Sequence, residues 1–182
     1  MSSAERIAEA VASLDALYVI HYPDPRLRQT CTDIETVNGS VRALSERMFA
    51  LMFASRGVGL AAIQVGVTVR MLVASPTFEP NDRLCLINPR IVAEDSWQDN
   101  EEGCLSFPGI FCNVKRRLNV AVEALDLDGN SVSHQFEGFP ARIVQHEIDH
   151  LDGQLLVDRM SQVAKLANRK VLRQLEAEFT GG

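Results

Sequence analysis

The stretch Gln145-His146-Glu147-Ile148-Asp149-His150 lies near the C-terminal end of the chain and places two histidines four residues apart. On an α-helix such residues project from nearly the same face, so both imidazoles can reach one metal ion. Glu147 lies beside that face, where it can take a proton from water without being a ligand itself. The pattern predicts metal-assisted hydrolysis. The simpler alternative is an amphipathic helix that carries two histidines by chance.

The helix around this motif is predicted to begin at Gly138 or Pro140 and to end at His150 or Leu151, with Gly153 just beyond it. Helical periodicity occupies three other segments: 4–16, 40–55 and 161–179. Strand-like segments lie at 69–73, 84–87, 91–93, 119–125 and 131–136, with a hairpin turn at Asp128-Gly129. These elements predict an α+β fold of mostly antiparallel β-sheets packed around a central metal-binding helix, with an additional C-terminal helix.

The composition is that of an ordinary globular protein, with 46% hydrophobic and 23% charged residues among 182. This length fits one domain, residues 1–182, with a sizeable core. The net charge of −6 argues against a specific nucleic-acid partner, because little in the chain would neutralise phosphates. The longest basic cluster, Lys115-Arg116-Arg117, is predicted to form a solvated turn.

The chain has no apolar run near the roughly 20 residues that span a bilayer. Its acidic N-terminal segment does not resemble a signal peptide. The four cysteines, at positions 31, 85, 104 and 112, have no spacing that requires disulfides. We therefore expect reduced thiols, a cytoplasmic location and no membrane partner.

A catalytic site of this kind usually has three protein ligands and an open position for water. Two zinc-peptidase arrangements would supply the third ligand downstream of the two histidines. One needs a histidine where this chain has Leu156, and the other needs a glutamate on a following helix, such as Glu176 or Glu178.

A different candidate lies upstream, in the segment Glu101-Glu102-Gly103-Cys104-Leu105-Ser106. Cys104 follows two carboxylates and a glycine in what we interpret as a polar loop, where a thiol is out of place as core packing. Because a free cysteine is most often buried and inert, we keep that interpretation for Cys31, Cys85 and Cys112. For Cys104 we favour a thiolate ligand.

A thiolate ligand brings negative charge to the metal, which makes metal-bound water less acidic. Hydrogen-bond donors that polarise the substrate carbonyl therefore have to contribute more to catalysis. The segment Gly57-Val58-Gly59-Leu60-Ala61-Ala62-Ile63-Gln64 offers such a donor in the uncharged amide of Gln64. Its small residues also let another backbone approach closely. A tight turn into a core strand is the alternative for this segment.

Together these three segments resemble the motifs of the peptide deformylases, which remove the formyl group from nascent polypeptides. The Gly-x-Gly-Leu-Ala-Ala-x-Gln, Glu-Gly-Cys-Leu-Ser and Gln-His-Glu motifs of that family occur here in the same order, at 57–64, 102–106 and 145–150. Residues 22–27 also resemble the N-terminal part of the family, so the resemblance covers nearly the whole chain.

The resemblance implies a role for each motif residue. The metal ligands would be Cys104, His146 and His150, the acid and base Glu147, and the oxyanion donors Gln64 and the backbone N–H of Leu105. Substrate-binding residues would be Gly57, Val58, Gly59, Leu60, Glu102, Gly103 and Ile143, with the peptide extended along the first four. The family commonly uses Fe²⁺ and tolerates Zn²⁺, Ni²⁺ or Co²⁺, and a Cys/His₂ set suits Zn²⁺ equally.

The implied partners are N-formylmethionyl nascent peptides, with transient ribosome association. Many members have an arginine near the position of Phe111, and some have an apolar residue at the position of Arg142. We expect both residues to affect the rim of the substrate pocket. Two other functions stay open: a metallopeptidase that uses Glu176 as third ligand, and a non-catalytic metal-binding module. The latter would need neither Glu147 nor Gln64.

Overall fold

The chain folds into a five-stranded antiparallel sheet with helices packed on it, as the computed structural model of residues 1–79 and 81–179 describes it. The strands are β1 (Gly59–Ala61), β2 (Met71–Ala74), β3 (Leu84–Gly103), β4 (Phe111–Leu125) and β5 (Ser131–Glu137). The helices are α1 (Ser3–Ala12), α2 (Gly39–Ala54), α3 (Phe139–Leu151), α4 (Leu156–Arg159), α5 (Gln162–Ala167) and α6 (Arg169–Glu178). Short 3₁₀ turns cover Leu14–Ala16, Pro25–Arg28 and Ala62–Val65. The predicted α+β class is confirmed.

The strands lie in sequence order, β1-β2-β3-β4-β5, and each pairs antiparallel with its neighbours. β3 and β4 form a long hairpin whose register slips between Ile87 and Arg90 and again between Ile91 and Ala93. The prediction of separate strands at 84–87 and 91–93 is therefore wrong, because an irregularity absorbs Asn88 and Pro89 without ending the strand. Residues 94–101 were missed because they are mostly exposed, so no apolar alternation marks them.

The basic cluster Lys115-Arg116-Arg117 lies within β4, so the prediction of a solvated turn is wrong. The Arg116 side chain is only 4% exposed and is paired with carboxylates. The predicted polar loop before Cys104 is likewise the end of β3. Both errors have one cause: charges that neutralise one another can be buried, and a linear pattern does not show their partners.

Each of the four predicted helices corresponds to helical structure, while the short α4 was not predicted. α3 begins and ends where predicted, with Pro140 in its first turn. α2 is capped by Asn38, whose side chain accepts from the backbone N–H groups of Ser40 and Val41. The predicted C-terminal helix is broken at Asn168, whose side-chain amide donates to the carbonyls of Ala164 and Phe111.

Three apolar clusters form the core, and one of them packs α3 against the sheet. One lies between α3 and the strands and contains Ala61, Leu72, Val120, Val122, Ala141, Val144, Ile148 and Leu151. A second packs α2 against the other side of β1 and β2 and contains Leu44, Met48, Met52, Leu60, Met71 and Val73. The third joins the turn after β3 to α4 and contains Leu27, Phe107, Ile110, Leu155 and Leu156. Within the described residues, no helix has the length and apolar character needed to cross a membrane.

The end of α3 depends on Gly153, which has a left-handed φ of +72° and whose N–H donates to the carbonyl of His150. A Cβ at this position would lie 2.6 Å from the backbone oxygen of Arg28. We predict that Gly153→Ala lowers the free energy of unfolding by roughly 1–3 kcal/mol in urea denaturation. The matched control is Gly39→Ala, where an added Cβ meets nothing within 4 Å. Equal stability of the two variants would contradict the prediction.

Candidate active site

Three side chains with metal-ligating atoms meet where the end of β3 faces α3. Cys104 follows β3, and His146 and His150 lie one turn apart on α3. The Cys104 Sγ lies 3.2 Å from His150 Nε2, which lies 3.2 Å from His146 Nε2, and all three atoms are within 4.8 Å of one another. Within the described residues this is the one group of His, Cys, Asp or Glu side chains arranged to hold a metal ion.

The three atoms fit a single divalent ion. In a tetrahedral site with Zn–N near 2.0 Å and Zn–S near 2.3 Å, the ligand atoms are about 3.3–3.6 Å apart, close to the separations found here. His146 Nδ1 contacts the carboxylate of Glu102 at 3.0 Å, so this nitrogen carries the proton and Nε2 presents its lone pair. A thiolate with two imidazoles suits borderline ions such as Zn²⁺ or Fe²⁺.

Glu102 is buried behind His146 and is held by two arginines. Its Oε1 accepts from Arg116 Nε at 2.8 Å and Arg142 Nη1 at 2.6 Å, and its Oε2 accepts from Arg116 Nη2 at 3.0 Å. Burial acts to raise the pKa of Glu102, but the hydrogen bonds with His146 and Arg116 outweigh it and lower the pKa to about 2. The carboxylate therefore stays ionised and orients the imidazole.

This charge cluster continues to the surface through Asp149, the residue just before His150. Arg116 Nη1 donates to Asp149 Oδ2 at 2.5 Å, and Arg159 donates to both oxygens of the same carboxylate at 2.9 and 2.5 Å. Sequence reasoning missed Arg116, Asp149 and Arg159. The available signal was the position of Asp149 inside the histidine motif, where a carboxylate on a buried helix needs a partner.

Glu147 is buried beside the two histidines with one oxygen unengaged. Its Oε2 has no hydrogen-bond partner in the described part of the chain, and burial raises its pKa to about 7. Gly59 makes this position possible, because a Cβ there would lie 2.5 Å from Glu147 Oε1. A carboxyl group with this pKa can both take and return a proton near neutral pH.

Gln64 lies beside Cys104, and hydrogen bonds fix the orientation of its side-chain amide. Its Oε1 accepts from the backbone N–H of Ala61 at 2.8 Å, while its Nε2 donates to Ser106 Oγ at 3.1 Å and lies 3.6 Å from Cys104 Sγ. The amide nitrogen therefore faces the metal-ligating group. A donor held in place in this way can stabilise negative charge on a bound carbonyl oxygen.

A cavity of about 540 Å³ opens onto this group. It is lined by most of the predicted site residues: Gly57, Val58, Gly59, Gln64, Glu102, Gly103, Cys104, Leu105, Ile143, His146 and Glu147. Leu60 and His150 are not among them: the Leu60 side chain packs in the core cluster beneath α2, and His150 is buried. Phe111, 60% exposed, also lines the cavity.

Arg142 also lines the cavity, and its effect on the pocket rim stays a prediction. Its side chain is 3% exposed and its guanidinium donates to Glu102 and to the carbonyl of Val114. Glu176, the ligand that an internal peptidase would need, instead accepts a hydrogen bond from the Tyr22 hydroxyl at 2.8 Å. Leu156 lies in the core cluster around α4.

A half-buried cysteine and two buried histidines arranged around one point, with a buried carboxylate beside them, are typical of the class of metal-dependent hydrolases. The family model described as polypeptide deformylase matches residues 16–166 of the chain. The chain belongs to that family, and the resemblance stated from the three motifs is confirmed.

Individual relatives agree over most of the chain. A peptide deformylase of Alkalilimnicola ehrlichii is 40% identical over 87% of this chain and 90% of its own, and a chloroplastic peptide deformylase of Oryza sativa is 41% identical over 90% and 62%. A plant peptide deformylase crystal structure superposes with a TM-score of 0.86 at 38% identity, covering 90% of both chains. The peptide deformylase of Legionella pneumophila gives 0.83 at 38% identity over 90% of this chain and 99% of its own.

The burial of Glu102 leads to a testable expectation. Glu102→Gln removes the charge that two buried guanidinium groups require, so we predict a loss of about 3–5 kcal/mol in the free energy of unfolding. We also predict metal affinity weaker by roughly 10–100-fold, measured by chelator competition. The neighbouring Glu101→Gln, at an exposed position, is the matched control. Metal affinity of Glu102→Gln equal to that of the control would contradict the role of Glu102.

Proposed function

We propose that the cavity binds the N-terminal formylmethionine of newly synthesised polypeptides and that the residues around it hydrolyse the formyl amide and release formate. The observation that carries this proposal is the unpartnered Glu147 carboxylate beside the Cys104, His146 and His150 group, in a chain that belongs to the polypeptide deformylase family. The whole chain, residues 1–182, would act as one catalytic domain.

Cys104, His146 and His150 would hold the metal ion, which we propose to be Fe²⁺, with Zn²⁺, Ni²⁺ or Co²⁺ as substitutes in preparations. When bound, the ion would supply Lewis-acid polarisation of the formyl group and would lower the pKa of water, so that water can lose a proton and act as a nucleophile near neutral pH. Glu102 supports the ligand set, because its contact with Nδ1 leaves His146 Nε2 unprotonated.

Glu147 moves the proton in this proposal. It takes a proton from the attacking water as the new C–O bond forms, and it delivers that proton to the amine nitrogen as the C–N bond breaks. Formate and a free N-terminal methionine result. The raised pKa of Glu147, about 7, supports both halves of this role, because the carboxyl group can be ionised before the attack and protonated after it.

Gln64 and the backbone N–H of Leu105 would hold the oxyanion that develops on the formyl oxygen. The hydrogen bond from the N–H of Ala61 to Gln64 Oε1 supports this role, since it turns the Nε2 donor towards Cys104 before any substrate arrives. Donors oriented in advance stabilise a transition state without the cost of reorganisation.

The substrate peptide would lie extended along residues 57–60. β1 pairs with β2 on one side and is an edge strand of the sheet, so its other edge is open to β-augmentation. Gly57, Val58 and Gly59 line the cavity on this side and Gly103 on the other, and Ile143 would contact the methionine side chain. Leu60 would contribute its backbone, because its side chain is in the core.

The substrate is a chain still being made, so we propose transient association with the ribosome. We also propose that the protein is located in the cytoplasm, together with the ribosomes that make its substrates. Comparison of formylated N-termini in cytoplasmic and organellar fractions of depleted cells tests this placement.

Glu147→Gln gives the direct test of the mechanism. We predict that it lowers the rate of formate release from a formyl-Met peptide by roughly 10²–10⁴-fold, because the proton carrier is lost. Metal content should stay at the wild-type value, because Glu147 is not a ligand. The matched control is Glu123→Gln, at an exposed position near the end of β4.

Two outcomes would count against the proposal. Substantial turnover by Glu147→Gln would remove that residue from proton transfer. Cleavage of internal peptide bonds by the wild-type protein, without formate release, would favour the peptidase alternative.

The identity of the metal can be tested through its chemistry with oxidants. Ferrous iron and a thiolate are both readily oxidised, so we predict that protein purified anaerobically loses activity on exposure to peroxide. Protein reloaded with Ni²⁺ should retain more of its activity under the same treatment. Equal resistance of the two preparations would indicate that iron is not the ion in the protein as isolated.

A further inference from the structure

Arg142 is buried at an energetic cost although it is not one of the proposed metal ligands, so its position needs an explanation. Its Nη1 donates to Glu102 Oε1 at 2.6 Å and to the Val114 carbonyl at 2.8 Å. Its Nε and Nη2 are buried and have no acceptor among residues 1–79 and 81–179. Because each unmet buried donor costs about 1–3 kcal/mol, stability alone does not account for an arginine here.

The ionisation of Glu102 does not account for it either. Arg116 already engages both oxygens of this carboxylate, through Nε at 2.8 Å and Nη2 at 3.0 Å. A bidentate pair of this kind is sufficient to keep a carboxylate charged. What Arg142 adds is a third contact from a different element, since it lies on α3 while Glu102 and Arg116 lie on β3 and β4.

This third contact restricts rotation of the carboxylate. Arg116 and Arg142 approach Oε1 together, and Arg142 is itself tied to β4 through the Val114 carbonyl. Oε2 is then left facing His146 Nδ1 at 3.0 Å. Arg142 also lies four residues before His146 on the same face of α3, so the helix holds the two side chains in a constant relative position.

The same side chain contacts the substrate cavity. Arg142 lines the cavity beside Ile143, yet its side chain is 3% exposed and its head is turned towards Glu102 and Val114. The aliphatic stem is therefore the part that forms the wall, as in other arginines whose stems cover apolar surface. One residue thus forms part of the methionine pocket and holds a group that orients a metal ligand.

We propose that Arg142 is a positioning residue for the metal site: its guanidinium fixes the Glu102 carboxylate so that Oε2 stays on His146 Nδ1. His146 Nε2 is thereby kept aimed at the ion together with Cys104 and His150. This inference rests on the ligand set given under the proposed function.

The test replaces the guanidinium and keeps the stem, in Arg142→Met. The matched control is Arg70→Met, which removes another buried arginine that donates to a carboxylate, Asp152, and to a carbonyl, Pro89, and whose Nε also lacks an acceptor among the described residues. We expect Zn²⁺ to bind about 10-fold more weakly to Arg142→Met, the low end of effects seen for groups behind metal ligands. We expect Arg70→Met to bind Zn²⁺ as the wild type does.

A second readout follows the imidazole itself. In the ¹H–¹⁵N spectrum of the Zn²⁺-loaded protein, the His146 Nδ1–H resonance should shift or broaden in Arg142→Met and stay unchanged in Arg70→Met. If Arg142→Met does not fold, Arg142→Lys takes its place in both measurements, because it keeps the charge and offers a single point contact in place of the planar fork.

The outcomes separate this inference from the function it rests on. Wild-type protein that does not bind Zn²⁺ would overturn the proposed ligand set. Zn²⁺ binding by the wild type with an unchanged affinity and resonance in the Arg142 variant would overturn the positioning role alone. Equal weakening in the Arg142 and Arg70 variants would also overturn it, since the effect would then be general destabilisation.

Discussion

The contact between the buried Glu102 carboxylate and His146 Nδ1 is the constraint on which the site depends. It joins the end of β3 to α3, and it is possible only because Arg116 and Arg142 neutralise the carboxylate inside the protein. A buried charge without such partners would be strongly unfavourable. The long β3–β4 hairpin places Glu102, opposite Cys112, and Arg116, opposite Gln98, on adjacent strands, where their side chains form an ion pair.

The rest of the site follows from how closely β1 approaches this helix. Gly59 has no side chain to displace Glu147, and the turn after β1 positions Gln64 between the backbone of Ala61 and Cys104. The apolar cluster of α3 and the strands fixes the distance between them. A ligand group, a proton carrier and an oxyanion donor therefore share one cavity, on elements far apart in the sequence.

Short-range patterns were sufficient for much of the fold. The bounds of α3 follow from Pro140 and Gly153, whose effects are local, and the apolar face of α2 follows from its periodicity. Prediction was wrong where the deciding interaction is between distant residues. The outer half of β3 pairs with β4 while both of its faces are largely exposed, so no alternation could mark it. Arg116 was assigned to solvent because nothing nearby in the sequence identifies Glu102 and Asp149 as its partners.

The sequence by itself determined the chemistry of this protein: two imidazoles one helical turn apart, a carboxylate beside them, and the cysteine and glutamine segments that resemble the deformylase motifs. These are properties of residue type and short spacing, which a helix converts directly into geometry. Only the tertiary structure decided the burial of Glu147, the orientation of His146 and the place of the Arg142 guanidinium inside the charge cluster. Those depend on desolvation and charge pairing between segments that only folding brings together.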